Sequence, residues 1–257
     1  MTRVLTGLVL AVGGWALAFR APVQIFVAAT ALLALLALHE FYRIAAKSGL
    51  RPLSAAGLVA APLWLLAPNL DRGYFASLLA LALLGAATLA RIPANRILSS
   101  AAVTALGVLY VAGPLLAGIL LHSVSPHWLG IVIATIAAGD SIALAVGKLF
   151  GRHPLAPVLS PRKTWEGTIA SIMASALVGA GYAALFLQGE ISAAAAVALA
   201  LVLNIAAQVG DLVESALKRS ANLKDSGSLL PGHGGLLDRL DGLLFAVPLA
   251  YGYVQLA

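Results

Sequence analysis

The residues best equipped for chemistry lie close together. The stretch from Gln208 to Gly242, QVGDLVESALKRSANLKDSGSLLPGHGGLLDRLDG, holds half of the ten acidic residues (Asp211, Glu214, Asp225, Asp238, Asp241). Lys218, Arg219, Lys224 and Arg239 accompany them, and apolar runs flank the stretch on both sides. Asp211, Glu214, Ser215 and Lys218 stand at i, i+3, i+4 and i+7, one face of a helix. A salt-bridged solvent face has the same spacing, but this face begins where an apolar run ends, which points to a polar cavity. Asp238 and Asp241 follow at i, i+3. Two carboxylates on one helix face, with Asp211 as a third, are a hard-oxygen set suited to Mg²⁺. Between them Gly227, Gly232, Gly234 and Gly235 surround His233. Such glycines let backbone N–H groups approach phosphate oxygens, and a following helix N-terminus adds favourable potential. Carboxylates for metal, cations for phosphates and a flexible loop are the kit for phosphoryl or nucleotidyl transfer.

A second polar stretch, GKLFGRHPLAPVLSPRKTWEG at 147–167, is basic and punctuated by Pro154, Pro157 and Pro161. The prolines predict a loop with fixed turns rather than a helix. Ser160, Arg162, Lys163 and Thr164 offer cations and hydroxyls suited to a phosphate or a lipid headgroup. Upstream, Asp140 interrupts the run IVIATIAAGDSIALAVG. A carboxylate within a membrane costs about 2.5–3.5 kcal/mol on insertion scales, so Asp140 is expected to face the bundle interior with a partner. A functional acid and a structural acid bonded to a nearby Arg, Lys or Ser both fit.

The elements that must position these groups are apolar. The chain has 257 residues, 61% hydrophobic and only 10% charged. Its mean hydropathy is +0.98, whereas soluble domains carry roughly 25% charged residues. The expected fold is an all-α polytopic integral membrane protein, one domain over 1–257 with its catalytic part mainly at 138–242. Nine spans are expected, at 4–19, 23–38, 53–68, 74–90, 100–121, 128–147, 168–187, 192–210 and 243–256. Pro62 and Pro248 are positioned to kink or divide two of them. With nine spans, every Lys and Arg except Arg20 and Arg72 falls on the side of the N-terminus. The positive-inside rule then puts the N-terminus and the polar loops in the cytoplasm and the C-terminus outside. Met1-Thr2-Arg3, an apolar run and Ala16-Leu17-Ala18 imitate a cleaved leader, but eight further spans need no separate export signal. The segment His39-Glu40-Phe41-Tyr42-Arg43 reads as an aromatic and basic anchor at the interface. The absence of cysteine removes disulfides, iron–sulfur clusters and thiol catalysis. The net charge of +6 reflects orientation and anionic lipid contact rather than nucleic acid.

Ser215-Ala-Leu-Lys218-Arg219, Lys224-Asp225, Pro231-Gly-His233-Gly-Gly235 and Asp238-Arg239-Leu-Asp241, in that order, resemble the signature of the phosphatidate cytidylyltransferases, the CDP-diacylglycerol synthases. The resemblance extends to Gln208–Ser215 and to Leu155–Gly167, where Glu166 belongs to the matching pattern, and Asp140 stands where that family has an aspartate. The N-terminal half matches only in hydrophobic pattern and around Glu40-Phe41. Leu144 and Ala145 stand where that family often has aromatic residues, and Lys148 where an Arg is frequent.

The resemblance implies that CTP and phosphatidate give CDP-diacylglycerol and pyrophosphate, with Mg²⁺ required and a second cation left open. On that reading Asp211, Asp238 and Asp241 hold the metal. Lys218, Arg219 and Lys224 neutralise the triphosphate and the leaving pyrophosphate. Ser160, Arg162, Lys163 and Thr164 take the phosphatidate headgroup or share the nucleotide phosphates, and Ser215, Gly234, Gly235 and Arg239 complete the binding set. Asp225 orients a lysine or supports the metal from behind. His233 is a loop hydrogen-bonder or phosphate contact, since the attacking phosphate is already an anion. Asp140, Glu214 and Glu166 are further candidates. The expected home is a bacterial-type inner membrane, with membrane lipids as neighbours, no nucleic acid partner and a homodimer left open. A CTP-dependent lipid kinase, a synthase acting on another lipid phosphate and an ion-coupled transporter are the alternatives.

Overall fold

The computed structural model describes residues 12–66, 72–90, 92–230, 232 and 234–257. The expectations that fall on Arg3, Arg91, Pro231 and His233, and on the leader-like start of the first span, lie outside the described residues. Nine helices occur among the described residues. They are α1 (12–19), α2 (Val23–Lys47), α3 (Ser54–Leu66), α4 (Arg72–Leu89), α5 (Ala94–Val124), α6 (Pro126–Phe150), α7 (Trp165–Phe186), α8 (Ala193–Ser220) and α9 (Leu237–Leu256). Five of these, α2, α5, α6, α7 and α8, are long and apolar enough to cross a membrane, whereas α3 and α4 are shorter apolar helices. The chain is an integral membrane protein of the all-α class. Pro62 and Pro248 lie inside α3 and α9 without dividing them.

The chain forms two compact units, each built from two stretches of sequence. One comprises Met1–Ile119 and Leu217–Arg239; the other comprises Leu120–Ala216 and Leu240–Ala257.

In the first unit the C-terminal part of α2 is its most buried segment, with Phe41, Tyr42, Ile44 and Ala45 in the core. The Tyr42 hydroxyl donates to the Thr104 carbonyl at 2.8 Å, and the Leu53 N–H donates to Thr104 Oγ1 at 2.8 Å. These bonds tie α2, α5 and the start of α3 together. The Tyr42 ring lies so close to Gly57 and Gly107 that neither position has room for a Cβ.

In the second unit α7 buries Gly167, Ser171, Ser175, Gly179 and Ala183, one residue every four. Small residues at that spacing let helices approach closely when no water is present to drive them together. Hydroxyls on the same stripe meet a buried amide: Asn204 Nδ2 donates to Ser171 Oγ at 2.9 Å and to Ser175 Oγ at 2.8 Å. Ser175 Oγ donates onward to the Thr135 carbonyl of α6 at 2.9 Å.

The 147–167 stretch departs from the expected loop. Helix α6 runs on to Phe150, and then Pro154–Ala156 (β1) pairs antiparallel with Ser160–Thr164 (β2). Two prolines fit here because a two-stranded ribbon is all edge, where a missing N–H breaks no inner ladder.

Candidate functional site

The second unit contains the candidate metal group. Helix α8 outlasts its apolar run and carries Asp211 and Glu214 beyond it. Helix α9 brings Asp241 to them: one carboxylate oxygen from each of Asp211, Glu214 and Asp241 lies within 4.8 Å of the others. The close approach depends on Gly210, where a Cβ would run into the Asp241 carbonyl and lie 2.9 Å from the Phe245 ring. Glu214 is wholly buried, and the two aspartates are half-buried. Like charges at that separation repel by about 3–4 kcal/mol at an effective dielectric near 20, so the group calls for cations. Lys163 of β2 supplies one, its Nζ 2.7 Å from Asp211 Oδ2. Ser215 Oγ donates to Asp211 Oδ1 at 3.4 Å, and the Gly242 N–H donates to Asp241 Oδ1 at 2.8 Å. A donor set of carboxylate oxygens alone, one of them fully buried, fits a hard divalent ion such as Mg²⁺.

One turn before Asp211, a hydrogen-bonded column fixes the rotation of α8. Gln208 Nε2 donates to Asn204 Oδ1 at 2.7 Å, and Asn204 in turn grips the two α7 serines.

The first unit contains the glycine loop and a different carboxylate arrangement. Asp238, expected among the metal ligands, pairs with Lys218 at 2.6 Å, and the two side chains are only 6% and 14% exposed. The second oxygen of Asp238 accepts the Ser226 N–H at 3.0 Å and the Gly235 N–H at 2.8 Å. Thus the Gly235 N–H, expected to face phosphate, is taken by a side chain of its own chain. Glu214 stands with Asp211 and Asp241 where Asp238 was expected. Both Lys218 and Asp238 are expected site residues, brought together here as a buried ion pair. Within the loop the Leu230 N–H donates to the Gly234 carbonyl at 3.0 Å, and Gly234 adopts φ +81°, which favours glycine.

The remaining expected residues are dispersed. Strand alternation separates Ser160 and Arg162 from Lys163, so the three do not share one face. Thr164 caps α7, its Oγ1 accepting the Gly167 N–H at 3.2 Å. Glu166 bonds to His153, with Oε1 2.6 Å from Nδ1, and so braces the base of the hairpin. Arg162, Lys224, Asp225 and Arg239 are exposed, and Arg219 donates to the Leu223 carbonyl at 3.3 Å. Asp140 is exposed on α6, just past Gly139 where the buried stripe ends, rather than held in the interior as expected.

Sequence reasoning missed Glu40. This carboxylate, 5% exposed on α2, accepts from Ser226 Oγ at 2.8 Å, the Leu236 N–H at 3.1 Å and the Leu237 N–H at 2.9 Å. The neighbouring Arg43 donates to the Ser226 carbonyl. The signals were an acid at the end of an apolar span and the match around Glu40-Phe41. The aromatic and basic residues around it gave the segment the look of an interfacial anchor.

A family model described as the cytidylyltransferase family matches residues 1–257. The chain is 43% identical over 117 residues to a phosphatidate cytidylyltransferase of Mycobacterium bovis, covering 46% of this chain and 38% of that protein. It is 38% identical over 123 residues to the Staphylococcus saprophyticus protein of that name, covering 48% of this chain and 47% of the relative. Phosphatidate cytidylyltransferase 4, chloroplastic, of Arabidopsis thaliana is 40% identical over 135 residues, 50% of this chain and 34% of the relative. Each match therefore spans less than half of the relative's own length. The match of the family model along the whole chain places this protein in the cytidylyltransferase family.

Proposed function

We propose that this protein transfers CMP from CTP to phosphatidate, forming CDP-diacylglycerol and releasing pyrophosphate. The observation that carries the reading is the Asp211–Glu214–Asp241 carboxylate group with Lys163 against it, in a chain whose family is cytidylyltransferase. The names of the three relatives supply the lipid substrate.

A phosphatidate oxygen attacks the α-phosphorus of CTP, the new P–O bond forms, and the bond from that phosphorus to the bridging oxygen of pyrophosphate breaks. The nucleophile is already anionic, so no side chain has to remove a proton. The obstacle is repulsion between two polyanions, which fixed cations reduce. Asp211, Glu214 and Asp241 would hold Mg²⁺. Bound there, the ion supplies Lewis-acid stabilisation of phosphate charge. Lys163 receives phosphate oxygens from the β2 side, while Arg162 stands on the other face of that strand. Lys218, Arg219 and Lys224 neutralise the triphosphate and the departing pyrophosphate, and Asp238 fixes the direction of Lys218. Glu214 replaces Asp238 in the metal set because Asp238 is committed to Lys218 and two backbone N–H groups. The nine helices act as nine spans, with the polar groups at the cytoplasmic face, the N-terminus inside and the C-terminus outside.

The test uses purified protein in detergent with phosphatidate, Mg²⁺ and CTP labelled at the α-phosphate. Label is expected in the lipid fraction with release of pyrophosphate, and EDTA should stop both. Labelled CDP beside unlabelled lipid would mean transfer of the γ-phosphate instead, and the absence of turnover with any lipid phosphate would overturn the reading. Asp241→Asn should lower turnover by more than about 100-fold, beyond the 10–100-fold typical of groups that only support a ligand. It should also weaken Mn²⁺ binding measured directly by electron paramagnetic resonance.

A further inference from the structure

We infer that Glu40 is a positioning residue for the reaction, holding the loop from Ser226 to Gly235 in its working shape by clasping both ends. This inference rests on the cytidylyltransfer reading above, and it concerns a residue on a helix far from the motif in sequence.

The geometry is that of a neck closed by two carboxylates. Ser226 and Gly235 are the two ends of the loop. Asp238 accepts one backbone N–H from each, at 3.0 and 2.8 Å. Glu40 accepts the Ser226 hydroxyl on one side and the Leu236 and Leu237 N–H groups on the other. Arg43, on the same helix, adds a bond to the Ser226 carbonyl. The neck is packed as well as bonded. A Cβ at Gly227 would collide with the Glu40 carboxylate, and one at Gly235 would collide with both Glu40 and Ser226 Oγ. The two glycines are thus present so that a buried carboxylate can lie against the backbone. Leu236 and Leu237 open α9, whose first N–H groups lack helical acceptors. A carboxylate there satisfies them and faces the positive end of the helix dipole.

The consequence for chemistry runs through Asp238. Its second oxygen is held by the two ends of the neck, and its first holds Lys218 at 2.6 Å. If the neck opens, the Ser226 and Gly235 donors leave Asp238, and Lys218 loses the anchor that aims it. The loop and Lys218 are assigned to CTP, so Glu40 should matter to the nucleotide and not to the lipid.

Glu40→Gln is the informative substitution. Oε1 accepts the Leu236 N–H and Oε2 accepts the Leu237 N–H, so either orientation of an amide turns its NH₂ against a backbone donor. Ser226→Ala removes one donor and leaves the two backbone bonds, a milder change for use if Glu40→Gln fails to insert. Hydrogen exchange of the peptide spanning Lys224–Leu237 is measured on the full chain in detergent, alongside KM for CTP and for phosphatidate. Expected are faster exchange in that peptide and a fall in kcat/KM for CTP of about 10–100-fold in Glu40→Gln, smaller in Ser226→Ala, with KM for phosphatidate unchanged. Unchanged exchange would show that Glu40 does not hold the loop. Faster exchange with kinetics within twofold of wild type, or with both KM values raised together, would show a structural brace and overturn the positioning role. If the wild-type protein transfers no CMP, the reaction assignment fails by itself, while the exchange measurement still decides whether Glu40 closes the neck.

Discussion

Asp238 and Asp241 lie less than one turn apart on α9 and meet unlike partners. Asp241 joins two other acids, while Asp238 is paired with Lys218 and barely exposed. Removing one member of a buried ion pair leaves the other charge uncompensated, which costs about 3–5 kcal/mol, whereas removing both is far milder. Lys218→Met should therefore destabilise the protein strongly, and Asp238→Asn placed in that background should recover part of the loss. Thermal unfolding of the two single variants and the double variant in detergent reads the coupling as a non-additive term. Additive losses would mean that the pair contributes nothing as a pair. The helical spacing of the acids could be read in the sequence, since i, i+3 and i+4 are local. Which neighbour each acid meets could not be read there. Lys163 reaches Asp211 from a separate hairpin, and Glu40 meets its partners across more than 180 residues of chain.

The helices show what hydropathy can and cannot carry. Five helices among the described residues are long and apolar enough to cross a membrane, because backbone groups in lipid must be satisfied within the segment and apolar runs report that requirement directly. The β1–β2 hairpin was not legible, since three prolines in a basic stretch look alike in a ribbon and in an irregular loop. The polar column on α8 was also hidden, because Asn204 and Gln208 interrupt an apolar run without altering its average. Asn204→Ala should cost about 1 kcal/mol, as interhelical hydrogen bonds in membranes do. It should also let Gln208, and with it the turn bearing Asp211, rotate. Calorimetric or thermal-shift stability together with Mn²⁺ affinity would register both effects. A variant matching wild type in both would mean that the column is ornamental.

For the molecule as a whole, orientation is the property most open to direct measurement. The chain contains no cysteine, so each introduced thiol is the only one present. Ser220→Cys, at the exposed end of α8, should react with a membrane-impermeant maleimide only after the cytoplasmic face is opened. Gln188→Cys, in the exposed turn between α7 and α8, should react in intact cells. The reverse pattern would invert the arrangement proposed here. It would also place the charged motif where CTP is absent.

The neck closed by Glu40 also sets an order of events during synthesis. Glu40 is made with α2, and the N–H groups it accepts belong to residues 196 and 197 positions later. At about 5–20 residues per second, roughly 10–40 s separate the two. Through that interval the nascent chain carries a carboxylate at a helix end whose partners do not yet exist. It must stay hydrated or be shielded by something else. Loop and helix end are completed together, when α9 begins. A chain stalled before Leu237 would display an unsatisfied acid at the membrane, a mark by which surveillance proteases could tell unfinished copies from finished ones.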